Sequence, residues 1–142
     1  MVADDLLDVV VVPAAGLRLA VSAAHVVEVV ALPALEPLAD APTSVVGLLQ
    51  LRGEPVPVVD LRTALSRPAS RPPLDASIVV VTSAGGLLGL LGDGPAAAVL
   101  HMPVRTITVA DPSGAVTGTG PEGEQVLDLP RLVERAEQGR RP

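Results

Sequence analysis

A chain of 142 residues with no cysteine is long enough to bury a core without disulfides or metals, and it has no thiolate to hold a metal or attack a substrate. Its net charge is −6, its ten positive residues are arginines scattered from Arg18 to Arg141, and it has no aromatic residue, so it lacks the clustered charge and stacking platforms that nucleic-acid binding uses. Although 49% of it is hydrophobic, no apolar run reaches the ~18–20 residues of a membrane-spanning helix, and residues 1–8 carry aspartates and no positive charge; a cytoplasmic protein without direct membrane insertion is expected.

The Val-rich runs are short and bounded by Pro, Gly, Ser or Asp, which is how strands read. In chain order, strands are expected at 7–12 and 17–21, joined by a hairpin turn at Ala14-Ala15-Gly16. Ser22 is placed to cap a single helical turn through His25, before a strand at 26–32. Thr43 or Ser44 is placed to cap a second turn ending at Gly47, with strands at 48–51 and 56–60 reversing at Gly53-Glu54. Residues 67–74 contain three prolines and read as a linker. Strands follow at 78–82 and 87–91, joined through Ser83-Ala84-Gly85-Gly86, then at 97–101 and 106–109. Residues 111–123 read as a second linker, and a strand is expected at 125–127. Asp128 as N-cap, Pro130 in the first turn, and Leu129, Leu132, Val133 and Ala136 on one face describe a C-terminal helix ending near Gly139. Closely spaced strands of this kind argue for an all-β sandwich or barrel. The boundaries are a single domain over 1–138 and a tail at 139–142.

No catalytic constellation is legible. Gly118-Thr119-Gly120-Pro121-Glu122-Gly123 fits a G-x-G-x-x-G pattern, but a strand rather than a helix follows it, so it reads as a loop. His25 and His101 form no metal-ligand pair and read as surface or packed imidazoles, with His25 placed to reach Glu28. No serine stands in a Gly-x-Ser-x-Gly context, and Asp4, Asp5 and Asp8 read as a solvated terminus. Neither an enzyme nor a cofactor or metal site is expected. Arg52 stands at a strand end beside a glycine turn; its simplest role is an ion pair with Asp60 or Glu54 that protects a sheet edge.

The run Gly47-Leu48-Leu49-Gln50-Leu51-Arg52-Gly53-Glu54-Pro55-Val56-Pro57-Val58-Val59-Asp60-Leu61-Arg62 resembles the signature of CheW-like domains: a glycine, then Leu-Arg-Gly, then Pro-Val-x-Asp-Leu. Val26-Val27-Glu28-Val29 is similar to the family's stretch after its second strand, and 42–47 to its short connecting helix. Residues 87–93 are similar to its Gly-hydrophobic-x-Asp strand, and Leu127-Asp128-Leu129 with the following helix to its end. The resemblance implies two small five-stranded β-barrel subdomains with short connecting helices and a C-terminal helix. It implies a non-enzymatic adaptor that binds the cytoplasmic tip of methyl-accepting chemoreceptors, couples them to a CheA-type histidine kinase, meets other CheW-like domains, and is recruited to receptor arrays. The matching receptor-facing positions are Val26, Glu28 and Arg52, with Gly47 and Gly53 as turn glycines. Where relatives carry Asp-x-Val-x-x-Val, this chain has Asp93-Gly94-Pro95-Ala96-Ala97-Ala98, and its connection from 107 to 116 is short. Proline and alanine thus replace two aliphatic anchors, and Pro95 is expected to remove a ladder donor. Asp93, Pro95 and Ala98 mark a kinase-facing region in doubt, which points to a reduced adaptor similar to the FrzB accessory type. The alternative is a stand-alone β-barrel ligand-binding or regulatory module.

Overall fold

The computed structural model describes residues 5–32, 35–37, 44–67, 73–83, 85–107 and 115–138. The strands are β1 (Asp5–Ala14), β2 (Leu17–Ser22), β3 (Val26–Ala31), β4 (Val45–Leu51), β5 (Glu54–Asp60), β6 (Ser77–Ser83), β7 (Gly86–Leu91), β8 (Ala97–Thr106), β9 (Val116–Thr119) and β10 (Gln125–Leu127). Helix α1 (Leu61–Ala64) follows β5, α2 (Leu129–Gln138) ends the described chain, and a 3-10 turn (Ala23–His25) links β2 to β3. They form two five-stranded sheets: a closed barrel in the order β1-β2-β10-β9-β8, and a second sheet in the order β3-β6-β7-β5-β4.

The unbroken valine runs have a simple cause. Residues along a strand alternate between faces, so an uninterrupted apolar run needs cover on both. In β1, Val9 and Val11 point into the closed barrel with Ala20, Met102 and Val126, whereas Val10, Val12 and Ala14 point outward into the core between the sheets. In β6, Val79 and Val81 enter that shared core and Ile78 and Val80 fill the second sheet's own interior. Leu88 and Leu90 of β7, Leu127 of β10, and Leu129 and Leu132 of α2 complete the shared core. Both sheets are therefore bound to one apolar layer.

Several expectations are corrected. Of the strand expected at 106–109 only Thr106 belongs to β8, and 108–109 lie outside the described residues. The strand expected to end at His101 continues to Thr106 as β8, because a bulge at Leu100-His101 interrupts the pattern without ending the pairing. Asp8 Oδ1 accepts the His101 amide at 2.8 Å there, and His101 has φ 53°. Within the stretch expected to be linker, β9 pairs with β8 and β10. Its Val-Thr-Gly-Thr sequence is too short and small to announce a strand. Gly47 does not end a helical turn: it sits in β4 at a register slip, and a Cβ there would lie 2.6 Å from the Glu36 carbonyl oxygen. Thr43, Ala84, residues 68–72, residues 108–114 and the tail at 139–142 lie outside the described residues.

Local chemistry explains the remaining turns. Ala15 (φ 52°) and Gly16 (φ 77°) form a two-residue hairpin between the paired Ala14 and Leu17. Asp128 caps α2 by accepting the Arg131 amide at 3.1 Å.

Candidate functional site

The β4–β5 hairpin reverses at Arg52-Gly53, one residue earlier than its sequence suggests, since Leu51 pairs with Glu54. Both turn residues have positive φ, 49° for Arg52 and 82° for Gly53, the combination a two-residue hairpin matching strand twist requires. Gly53 meets nothing within 4 Å of where a Cβ would stand, so backbone conformation rather than space favours glycine there. The turn lifts Arg52 out of the sheet, and its guanidinium bonds Glu28 of β3 through Nη2 and Oε1. Arg52 is 71% exposed at the side chain and Glu28 30%, so this ion pair is worth at most about 1 kcal/mol to stability. The pair joins the two ends of the sheet order, because β3 and β4 are its edge strands.

Around it the surface is apolar. Val26 packs against the shared core, and a register slip between Val26 and Glu28 leaves Val27 as an extra residue. Val27 and Val29 remain 46% and 43% exposed, although Val29 pairs with Val79, which is fully buried in the shared core. Apolar surface thus continues from the inter-sheet core into solvent along β3. Of the three positions expected to act together, Glu28 and Arg52 are in contact, while Val26 lies two residues before Glu28 in β3 and packs on the shared core. Val27 and Val29 lie on the same β3 margin, and no signal in Val-Val-Glu-Val-Val-Ala marks which valines lack cover.

Asp60 pairs with Arg62 rather than Arg52. Its carboxylate caps α1 through the Arg62 amide at 2.9 Å and binds the Arg62 side chain at 3.2 Å (Nε to Oδ1) and 3.0 Å (Nη2 to Oδ2). Both side chains are buried. The hydrogen bond to Asp60 raises the Arg62 pKa above its ordinary value, burial opposes the shift, and the charges of Asp60 and Asp93 add to it. The Asp-Leu-Arg end of the signature is therefore a buried structural pair.

Asp93, Pro95 and Ala98 differ in their surroundings. The Asp93 carboxylate turns inward and accepts the Ala15 amide at 2.8 Å. Pro95 is exposed but precedes β8, so it costs the ladder no donor, contrary to expectation. Ala98 pairs with Val10 and is exposed. The glycine pattern at 118–123 runs from β9 through a turn into β10, so no helix N-terminus faces it. His25 and His101 are both exposed; the His101 ring lies 3.8 Å from Asp8, and Glu28, expected near His25, is engaged by Arg52. Among the described residues no cluster of potential metal ligands occurs, and no helix is long and apolar enough to cross a membrane.

With two five-stranded sheets on one shared core and the Leu-Arg-Gly turn opposite Glu28, a match to the CheW-like domain spans residues 8–137. The chain belongs to the CheW-like domain family. The fold agrees: the scaffolding protein TtCheW from Thermoanaerobacter tengcongensis superposes with a TM-score of 0.75 at 22% identity, covering 91% of this chain and 93% of that one. Among curated proteins no match was found. Within the CheW-like frame, the Leu-Arg-Gly motif is a hairpin turn and the following Asp-Leu-Arg a capped, buried ion pair.

Proposed function

We propose that this CheW-like chain is a non-enzymatic adaptor of bacterial chemosensory signalling that binds the cytoplasmic tip of chemoreceptors and links them to a CheA-type histidine kinase. The observation that carries the reading is the ion pair between Glu28 of edge strand β3 and Arg52 of the β4–β5 turn, with Val27 and Val29 exposed along the same strand as Glu28. A receptor tip is helical, and a helix docks on aliphatic side chains with charges at the rim to set register. Arg52 is suited to that rim because leaving Glu28 for a partner carboxylate costs little.

The kinase side is proposed to be weakened, as in a reduced accessory adaptor. The exposed positions there are Pro95 and Ala98, which offer less apolar contact than the two valines of relatives, while Asp93 is occupied internally. The ligand-module reading is the weaker one because apolar side chains of the strands pack against one another inside each sheet. The domain over 1–138 is proposed to act as one unit in cytoplasmic receptor arrays. Binding of the purified chain to a soluble receptor-tip fragment and, separately, to a kinase regulatory domain tests the proposal. Arg52→Glu is expected to lower receptor affinity with the fold intact, chiefly by slowing association and changing its salt dependence, as reversal of a rim charge does. Unchanged receptor affinity would remove the basis for the site.

A further inference from the structure

The chain passes from the second sheet to the closed barrel through residues 92–96, between β7 and β8. This crossing is fastened on two sides. Toward the barrel, Asp93 donates its amide to the Pro13 carbonyl at 2.9 Å and its carboxylate accepts the Ala15 amide at 2.8 Å. Toward the second sheet, Gly92 donates to the Ser77 carbonyl and Ser77 donates to the Gly94 carbonyl, each at 3.1 Å, while Ser77 Oγ accepts the Ala96 amide at 3.0 Å. The backbones are in close approach: a Cβ on Gly92 would lie 2.4 Å from Val12 Cγ2 and 2.6 Å from the Pro13 oxygen, and one on Gly94 would lie 2.9 Å from Pro13 Cγ.

We infer that Asp93 is a positioning residue that sets how the closed barrel sits against the second sheet, and through that geometry shapes the β3 margin. The inference rests on the proposed reading of that margin as the partner site. The core between the sheets is built of apolar side chains, whose packing is non-directional and lets layers slide. Hydrogen bonds with fixed directions, made where glycines allow backbone contact, select one arrangement. The margin depends on it because Val26 of β3 packs on the same core as Val10, Val12 and Val21 of the barrel. Ala15 is held with φ 52°, uncommon for a residue with a side chain, and the Asp93 carboxylate is the group that engages its amide. Asp93 thus acts without touching the partner.

The absence of cysteine permits a direct test. Spin labels on Thr117→Cys in β9 and Glu54→Cys at the start of β5, both exposed positions, report the distance between the sheets by pulsed electron paramagnetic resonance. Asp93→Ala removes the acceptor, Gly94→Ala forces the crossing away from Pro13, and Asp93→Asn keeps an acceptor for the Ala15 amide. The first two are expected to broaden or shift the distance distribution and to weaken receptor-tip binding about threefold to tenfold, while Asp93→Asn stays near wild type. If Asp93→Ala does not fold, Gly94→Ala carries the test. The inference is overturned if the distribution is unchanged, if it changes while receptor affinity does not, or if both variants fail to fold, which would assign the crossing to stability alone. Arg52→Glu run in parallel separates the two readings: if it leaves receptor affinity unchanged, the partner site is wrong, and the distance measurement still reports on the junction.

Discussion

The closed barrel and the second sheet have the same number of strands but handle their edges differently. In the barrel, β8 returns to pair with β1, so the hydrogen-bond ladder closes. In the second sheet, β3 and β4 are left as edges: β3 pairs with β6 and β4 with β5, supplemented by a bridge from Glu36 to Leu48. Exposed edge strands invite pairing with other chains, and a bulge or a charge on the edge discourages it. Both devices are present here, the slip at Val27 in β3 and the Glu28–Arg52 pair between the two edges. The sheet that did not close carries the Glu28–Arg52 pair beside exposed Val27 and Val29, whereas the barrel exposes Leu6 and Leu100 on strands paired on both sides.

Four substitutions test that contrast, beginning with the largest expected effect. Arg62→Met leaves Asp60 as a buried, unpaired charge and is expected to cost about 3–5 kcal/mol in denaturant unfolding; a loss below about 1 kcal/mol would show that the pair is better solvated than its burial implies. Leu90→Ala, in the core shared by both sheets, is expected to cost about 2–5 kcal/mol and to keep one cooperative transition. Two separate transitions would mean that the sheets are independent, and the comparison would then describe two domains. Gly47→Ala drives a Cβ against the Glu36 carbonyl and is expected to cost about 1–3 kcal/mol, with faster amide exchange in β4 than in β1. Equal acceleration in both strands would contradict the assignment of the effect to the open sheet. Arg52→Glu is expected to lower stability by no more than about 1 kcal/mol while reducing receptor-tip binding. A large stability loss would instead make the ion pair part of the fold.

Legibility in the sequence followed the range of the interactions involved. The Ala15-Gly16 hairpin and the Asp128 cap are local and legible in neighbouring residues; the 3-10 turn after Ser22 also stands where expected, but Ser22 makes no side-chain cap bond there. The bulge that carries β8 through Leu100-His101 depends on Asp8, far away in the chain, and so was read as a strand end. Family resemblance singles out Val26, Glu28 and Arg52, but not the contact between Glu28 and Arg52. By residue type and spacing, Asp60 and Glu54 were equally good partners for Arg52, whereas Glu28 required knowing that the two edges approach.

Residue order alone determined that this chain would be built of short, valine-rich strands without disulfides or aromatic packing, because alternation, turn residues and composition act within a few positions. It also placed Arg52 in a glycine turn. Tertiary structure decided which faces of those strands are covered, that Arg52 reaches Glu28, and that Asp93 faces inward toward Ala15. Burial and ion pairing at those positions are set by segments distant in sequence, and no local pattern encodes how two sheets pack.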